Sequence, residues 1–130
     1  MDIIKYLQIP FKDQGRDESG VDCFGLAHIF YKNEFNIELP SYIEYYNTTQ
    51  DKNAIAHQIK NANLTGWQRS KKPEFGQLII LHILGMPLHL GIMLDDESFL
   101  HCLKGKGVCV ENRTDITWVN RIGGYLKWVH

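Results

Sequence analysis

Cysteine is scarce in this chain. Three cysteines among 130 residues cannot all pair with one another, which argues against a disulfide framework and for at least one free thiol in a reducing compartment. An excess of charge of either sign is missing too. Fourteen Lys and Arg stand against fifteen Asp and Glu, a formal net charge of -1, so nothing advertises a polyanion partner and nucleic acid is not expected. The longest apolar run, Leu78 to Leu90, is broken by His82, Gly85, Pro87 and His89 and is no membrane span. The opening MDIIKYLQIP has no basic n-region, long h-region or small-residue cleavage site. We therefore expect a protein made in the cytoplasm without a signal peptide, which would need another delivery route to act outside it. Repeats, low-complexity tracts and linkers are also lacking, and 130 residues suit a single domain spanning 1–130. A chain of this size buries roughly two thirds of its unfolded surface without a staple.

What is present reads as helices first and strands after. Residues 10 to 22 are polar and glycine-containing, hence loop, and Asp22 is placed to cap a helix. From Cys23 to about Asn33, Phe24, Ala27, Phe30 and Tyr31 recur at helical spacing. An aromatic-rich loop broken by Pro40 follows, then a second helix from about Gln50 to Asn61 with Ile55, Ile59 and Ala62 on one stripe. Past a basic loop, QRSKKPEF, the pattern shortens. Runs at 77–84, 88–94, 99–103 and 108–111, separated by GMP, DDES and KGKG, read as an antiparallel meander, with a last strand over 125–129. The order is that of an α+β domain.

The stretch GVDCFGL places Cys23 in a first helical turn, where unpaired N–H groups and the helix dipole favour a thiolate. A neighbouring imidazole would help further. Alternation in PLHLGIML separates His89, Gly91 and Met93 from the leucine-rich face, which is the better core. That leaves His89 beside a glycine with no side chain to block an approaching group. A three-residue loop of Asp95 to Glu97 would give a register that sets His89 and His101 on one face. The expected constellation is Cys23 as nucleophile, His89 as base and His101 as the group that orients His89, in the chain order of papain-like enzymes.

GVDCFGL, PEFGQLIIL, PLHLGIML and FLHC, in this order and spacing, resemble the NlpC family of papain-like cell-wall cysteine peptidases over roughly Pro10 to Cys102. The resemblance implies helices packed on an antiparallel sheet. It also implies hydrolysis of an amide in peptidoglycan stem peptides, typically next to D-glutamate, through a thioester acyl-enzyme, with Cys23, His89 and His101 in the three roles. No cofactor or metal is implied. IPFKDQGRD and IELPSY are most similar to the phage-tail and prophage versions, which implies phage tail proteins as partners and a place on a virion tail or, after delivery, at the cell wall. Three positions depart from the family pattern. Phe11 stands where many members have a tyrosine, so the oxyanion donor would be backbone N–H, that of Cys23 included. Phe24 replaces a small hydroxyl residue and should make the pocket narrower or more apolar. Gln77 replaces an aspartate in a structural position.

Other candidates are assigned blander roles. His28, His57, His82 and His130 read as structural or solvated, Arg69 to Lys72 as a solvated loop, and Tyr42, Tyr45 and Tyr46 as loop packing beside a cleft. Cys102 has the opposite parity to His101 and should face the core. If KGKG is a four-residue turn, Cys102 and Cys109 oppose each other across a hairpin, within disulfide reach, though reduced packing is expected. A zinc site of Cys23, His89 and His101 fits poorly, since no C-x-x-C or H-E-x-x-H spacing accompanies it.

Overall fold

A computed structural model of the chain describes residues 1–62 and 66–129; His130 lies outside them. Asp22 ends an extended segment and accepts the Gly25 N–H at 2.9 Å, which starts helix α2 (Cys23–Phe35) where the cap residue predicts. Two elements precede it that are too short for the sequence pattern to reveal. A single helical turn, α1 (Ile3–Leu7), is capped by Asp2, and a two-residue hairpin, β1 (Arg16–Asp17) and β2 (Gly20–Val21), occupies the expected loop. Asn36, in the left-handed region at φ 54°, ends α2. After a 3-10 turn at Ile43–Tyr45 comes α3 (Lys52–Lys60), which buries Ile55, Ala56 and Ile59.

The remaining chain builds one antiparallel sheet from β3 (Trp67–Ser70), β4 (Leu78–Ile83), β5 (Met86–Met93), β6 (Ser98–Leu103), β7 (Gly107–Asn112) and β8 (Ile122–Trp128), in the spatial order β3-β8-β4-β5-β6-β7. The meander β4 to β7 is as expected. Two corrections concern its flank. The first half of the supposed basic loop is the edge strand β3, which pairs with β8 from Trp67↔Trp128 to Ser70↔Tyr125; an edge strand needs no apolar alternation on its open side, so pattern alone does not reveal it. Strand β8 also starts at Ile122 rather than 125 and inserts between β3 and β4.

Helix α2 packs on β5 and β6, and α3 on β5, so one face of the sheet joins the helices in the larger core through Leu78, Ile80, Leu90, Ile92, Leu100 and Leu126. The opposite face carries its own cluster of Ile79, Leu81, Met93, Phe99, Trp118 and Tyr125. Both faces of the central strands are therefore dry, which explains their near-continuous apolar character. Among the described residues no helix is long and apolar enough to cross a membrane.

Candidate active site

Strands β5 and β6 pair through Ile92↔Leu100 and Met93↔Phe99, and the Leu94 N–H closes on Ser98 O at 2.9 Å. The loop is thus Asp95 to Glu97. The even register sets both imidazoles on one face, with His89 Nε2 2.9 Å from His101 Nδ1. The supposed open side over Gly91 is not open, however. A methyl group built there would lie 2.8 Å from Phe99 Cδ2 and 3.0 Å from Ile79 Cγ2, so glycine is required because the second core cluster presses on that backbone. Trp118, from the loop between β7 and β8, stacks on His89 at 6.2 Å between ring centroids and stands edge-on to His101 at 5.3 Å. The imidazole pair is buried under this indole, with His101 fully sealed.

A third group completes the row. His101 Nε2 is hydrogen-bonded to the Glu111 carboxylate on β7. A carboxylate can only accept, so His101 carries its proton on Nε2. Its Nδ1 is then bare and accepts from His89 Nε2–H, which leaves Nδ1 of His89 as the free base. The row from Glu111 fixes which nitrogen of His89 can take a proton.

Cys23 is the first residue of α2, as expected, and is 7% exposed. A cleft of about 430 Å³ takes in Cys23 and His89 together, with Phe11 and Leu88, the segment around Gln50 and Ile55, and Cys102 along its wall. The nucleophile and base candidates therefore face one cavity, while His101 stands behind His89. Among the described residues no hydrogen bond joins the sulfur to either imidazole; such contacts commonly tighten only when substrate is bound.

Burial pushes the Cys23 thiol up to about 12 and the neighbouring Asp22 carboxylate adds to this, while the backbone of Leu90 and the Arg16 guanidinium pull the other way. Burial likewise lowers His89 to about 3, with His101 adding to the effect. His101 is lowered by burial against the opposing pull of Glu111. Burial thus works against the helix terminus and favours the neutral forms of the thiol and both imidazoles. For this thiol to attack, a proton would have to pass from sulfur to His89.

Asp22 is fully buried and does more than cap. It takes hydrogen bonds from Gly25 N and Gln14 N, an ion pair from Arg16 Nη1 at 2.9 Å, and a short hydrogen bond from the Tyr46 hydroxyl. This knot ties the aromatic loop to the first turn of α2. Phe24 packs against Tyr42 and Tyr46 and lies outside the residues that line the cleft, so it does not narrow the pocket as expected. Gln77 is structural, bonding Ser70 Oγ and the Glu74 N–H. His28 bonds Leu39 O, and His57 sits on the exposed side of α3 near Asn61.

The turn between β6 and β7 corrects the cysteine arithmetic. Leu103 pairs with Gly107, so the loop has three residues, Lys104 to Lys106, and the register becomes His101↔Cys109 and Cys102↔Val108. Gly107, at φ +84°, makes the tight return possible. Cys102 points into the helix-side core as expected, but Cys109 lies beside His101, and all three thiols are free.

Residues 8–127 match the profile of the NlpC/P60 family. A curated relative, the murein DD-endopeptidase MepS/murein LD-carboxypeptidase of Escherichia coli K12, is 22% identical over 107 residues. That alignment takes in 82% of this chain and 49% of the relative, so the chain spans about half the length of the curated protein it matches. Among solved structures, an NLP/P60-family protein similar to lipoprotein from Staphylococcus aureus Mu50 superposes with a TM-score of 0.67 at 22% identity, over 98% of this chain and 39% of that one. The NlpC/p60 domain of the peptidoglycan hydrolase SagA gives 0.61 at 18% identity, over 95% and 91%. These likenesses show a shared fold.

Proposed function

Because the chain belongs to the NlpC/P60 family, we propose that it is a cysteine peptidase that cuts amide bonds in the stem peptides of peptidoglycan, with Cys23, His89 and His101 as its reacting and orienting groups. The observation that carries this reading is the cleft shared by a helix-start thiol and an imidazole whose base nitrogen is set by a row of hydrogen bonds. That the E. coli relative is a murein DD-endopeptidase and LD-carboxypeptidase and SagA a peptidoglycan hydrolase supports the substrate class.

In the proposed reaction Sγ of Cys23 attacks the amide carbon while its proton passes to Nδ1 of His89. The resulting imidazolium is stabilised through Nε2–H to His101 Nδ1, and His101 in turn donates to Glu111. The oxyanion meets backbone N–H groups at the start of α2, that of Cys23 included, since a first helical turn has no internal acceptor for them. His89 then returns its proton to the leaving amine, which departs from a thioester. Water, deprotonated by His89, hydrolyses the thioester and restores the thiol.

A second reading, a fold retained to bind the wall or a phage tail without cutting, draws support from the burial of Cys23 and its neutral thiol. Incubating purified sacculi with the wild type and with Cys23→Ala separates the two. Release of new amino groups by the wild type alone supports the peptidase; equal outcomes leave the binding role. On the resemblance of IPFKDQGRD and IELPSY we also assign the protein to a phage tail or prophage, reaching the wall by that route. Co-sedimentation with assembled tails tests this, and a wholly unbound chain would refute it.

A further inference from the structure

The three-residue turn between β6 and β7 has set a thiol where the active-site row ends. His101 and Cys109 are direct cross-strand partners, and Glu111, two residues on, shares the face of Cys109. One donor atom from each of His101, Cys109 and Glu111 lies within 4.8 Å of the other two. The set offers an imidazole nitrogen, a thiolate sulfur and a carboxylate oxygen, a combination that suits zinc and leaves a fourth position open. Strand β7 is the outer edge of the sheet, and Cys109 and Glu111 are both partly exposed, so an ion has a way in. Donor atoms around a tetrahedral zinc stand roughly 3.4 Å apart, given bond lengths near 2.0–2.3 Å. Glu111, hydrogen-bonded to His101 Nε2, would have to draw back to make room for the ion, a small move for a side chain on an edge strand.

We infer that His101, Cys109 and Glu111 form a site for a thiophilic divalent cation such as zinc, and that filling it switches the neighbouring peptidase off. The switch follows from where protons sit, and it rests on the peptidase reading, whereas the binding does not. A metal on Nε2 of His101 displaces the proton held there. The neutral ring then carries its proton on Nδ1 and donates to His89 Nε2, reversing the bond between the two imidazoles. His89 in turn holds its own proton on Nδ1, the atom that must accept from Cys23. Each ring keeps one proton, exchanged with solvent, and only the Cys109 thiol loses one, to water, as it becomes a ligand. Nothing is oxidised or reduced.

Cobalt(II) added to the full chain tests the site without reference to activity. The expected result is a near-ultraviolet thiolate-to-cobalt charge-transfer band in the wild type and in Cys23→Ala, and its loss in Cys109→Ser. Absence of the band from the wild type, or its survival in Cys109→Ser, would overturn the site. For the switch, zinc inhibition of amino-group release from sacculi is measured against each variant's own metal-free rate. Cys109→Ser should need roughly tenfold more zinc or higher; equal inhibition of both proteins would place the inhibitory ion elsewhere and sink the switch. Long-range proton–nitrogen correlation spectra should show the His89 proton moving from Nε2 to Nδ1 as zinc binds, and an unmoved proton would refute the mechanism. A chain that binds cobalt through Cys109 but cuts nothing when metal-free would refute the peptidase and its switch while leaving the site standing.

Discussion

His89 Nε2 and His101 Nδ1 are 2.9 Å apart, and the direction of the proton between them is decided one residue further out, at Glu111. In the proposed reaction Glu111 is accordingly a positioning residue that acts through two rings. Truncation in Glu111→Ala frees His101 to put its proton on either nitrogen, so kcat should fall roughly 10- to 100-fold, as it does when an orienting partner of a working histidine is lost. KM should hold, because Glu111 lines no part of the cleft. Glu111→Gln keeps an acceptor oxygen and should recover most of the rate. Equal losses in both variants, or a rise in KM alone, would show that the carboxylate only supports the strand.

The buried imidazoles should make the fold acid-labile. The unfolded chain takes a proton at His89 below about pH 6.5, whereas the folded chain refuses it until about pH 3. Between those values the unfolded state binds more protons, so stability falls as pH drops. By about pH 4.5 this site alone costs up to ~3 kcal/mol, and His101 shifts in the same direction. Urea midpoints measured from neutral to mildly acid pH should decline, and His89→Gln, which can still donate to His101, should flatten the decline. An unchanged slope in the variant would place the acid lability elsewhere.

Much of this site is legible in the sequence, and what is hidden there shares a cause. The start of α2 follows from Asp22 and four apolar residues at helical spacing, and the pairing of His89 with His101 follows from parity once the loop length is chosen. Both depend on neighbours close in sequence. Glu111 ends the expected run 108–111 but shares the face of His101 only in the register that β6 and β7 adopt, and Trp118 lies in a loop that no periodicity announces. The placement of Cys109 turned on one residue of turn length. Lys104 to Lys106 closes in three residues rather than four, and so the thiol moved from the face of Cys102 to the face of His101. Strand β3 and the turn α1 are short elements at the margins of the fold, where packing rather than pattern makes them.

A neutral resting thiol has a kinetic signature. With burial and Asp22 holding Cys23 up at about 12, its alkylation by iodoacetamide should climb about tenfold per pH unit from neutral into the alkaline range. A preformed thiolate–imidazolium pair would give a plateau already below neutrality. Peptide mapping of Cys23, Cys102 and Cys109 over a pH series measures the three separately, and a plateau at Cys23 would show that the helix terminus outweighs desolvation after all.

The knot around Asp22 predicts how stability and chemistry are joined at the head of α2. The carboxylate is fully buried, and Arg16 is its one ion-pair partner among the described residues. Arg16→Ala strands a buried charge, which should cost about 3–5 kcal/mol, and it also removes a group that draws the Cys23 thiol down, so any folded fraction should react more slowly as well. Tyr46→Phe removes the hydroxyl that donates to the same carboxylate and accepts from Arg16, while leaving the ion pair, for about 1.5–3 kcal/mol. Arg16→Lys separates charge from geometry. It restores the ion pair but cannot reproduce the fork that reaches Ser41 O, Gly15 O and the Tyr46 hydroxyl together, so its stability should fall between wild type and alanine. Chemical denaturation of the three variants ranks them directly. If Arg16→Lys proves as unstable as Arg16→Ala, the guanidinium acts by bridging the aromatic loop to the helix rather than by neutralising Asp22.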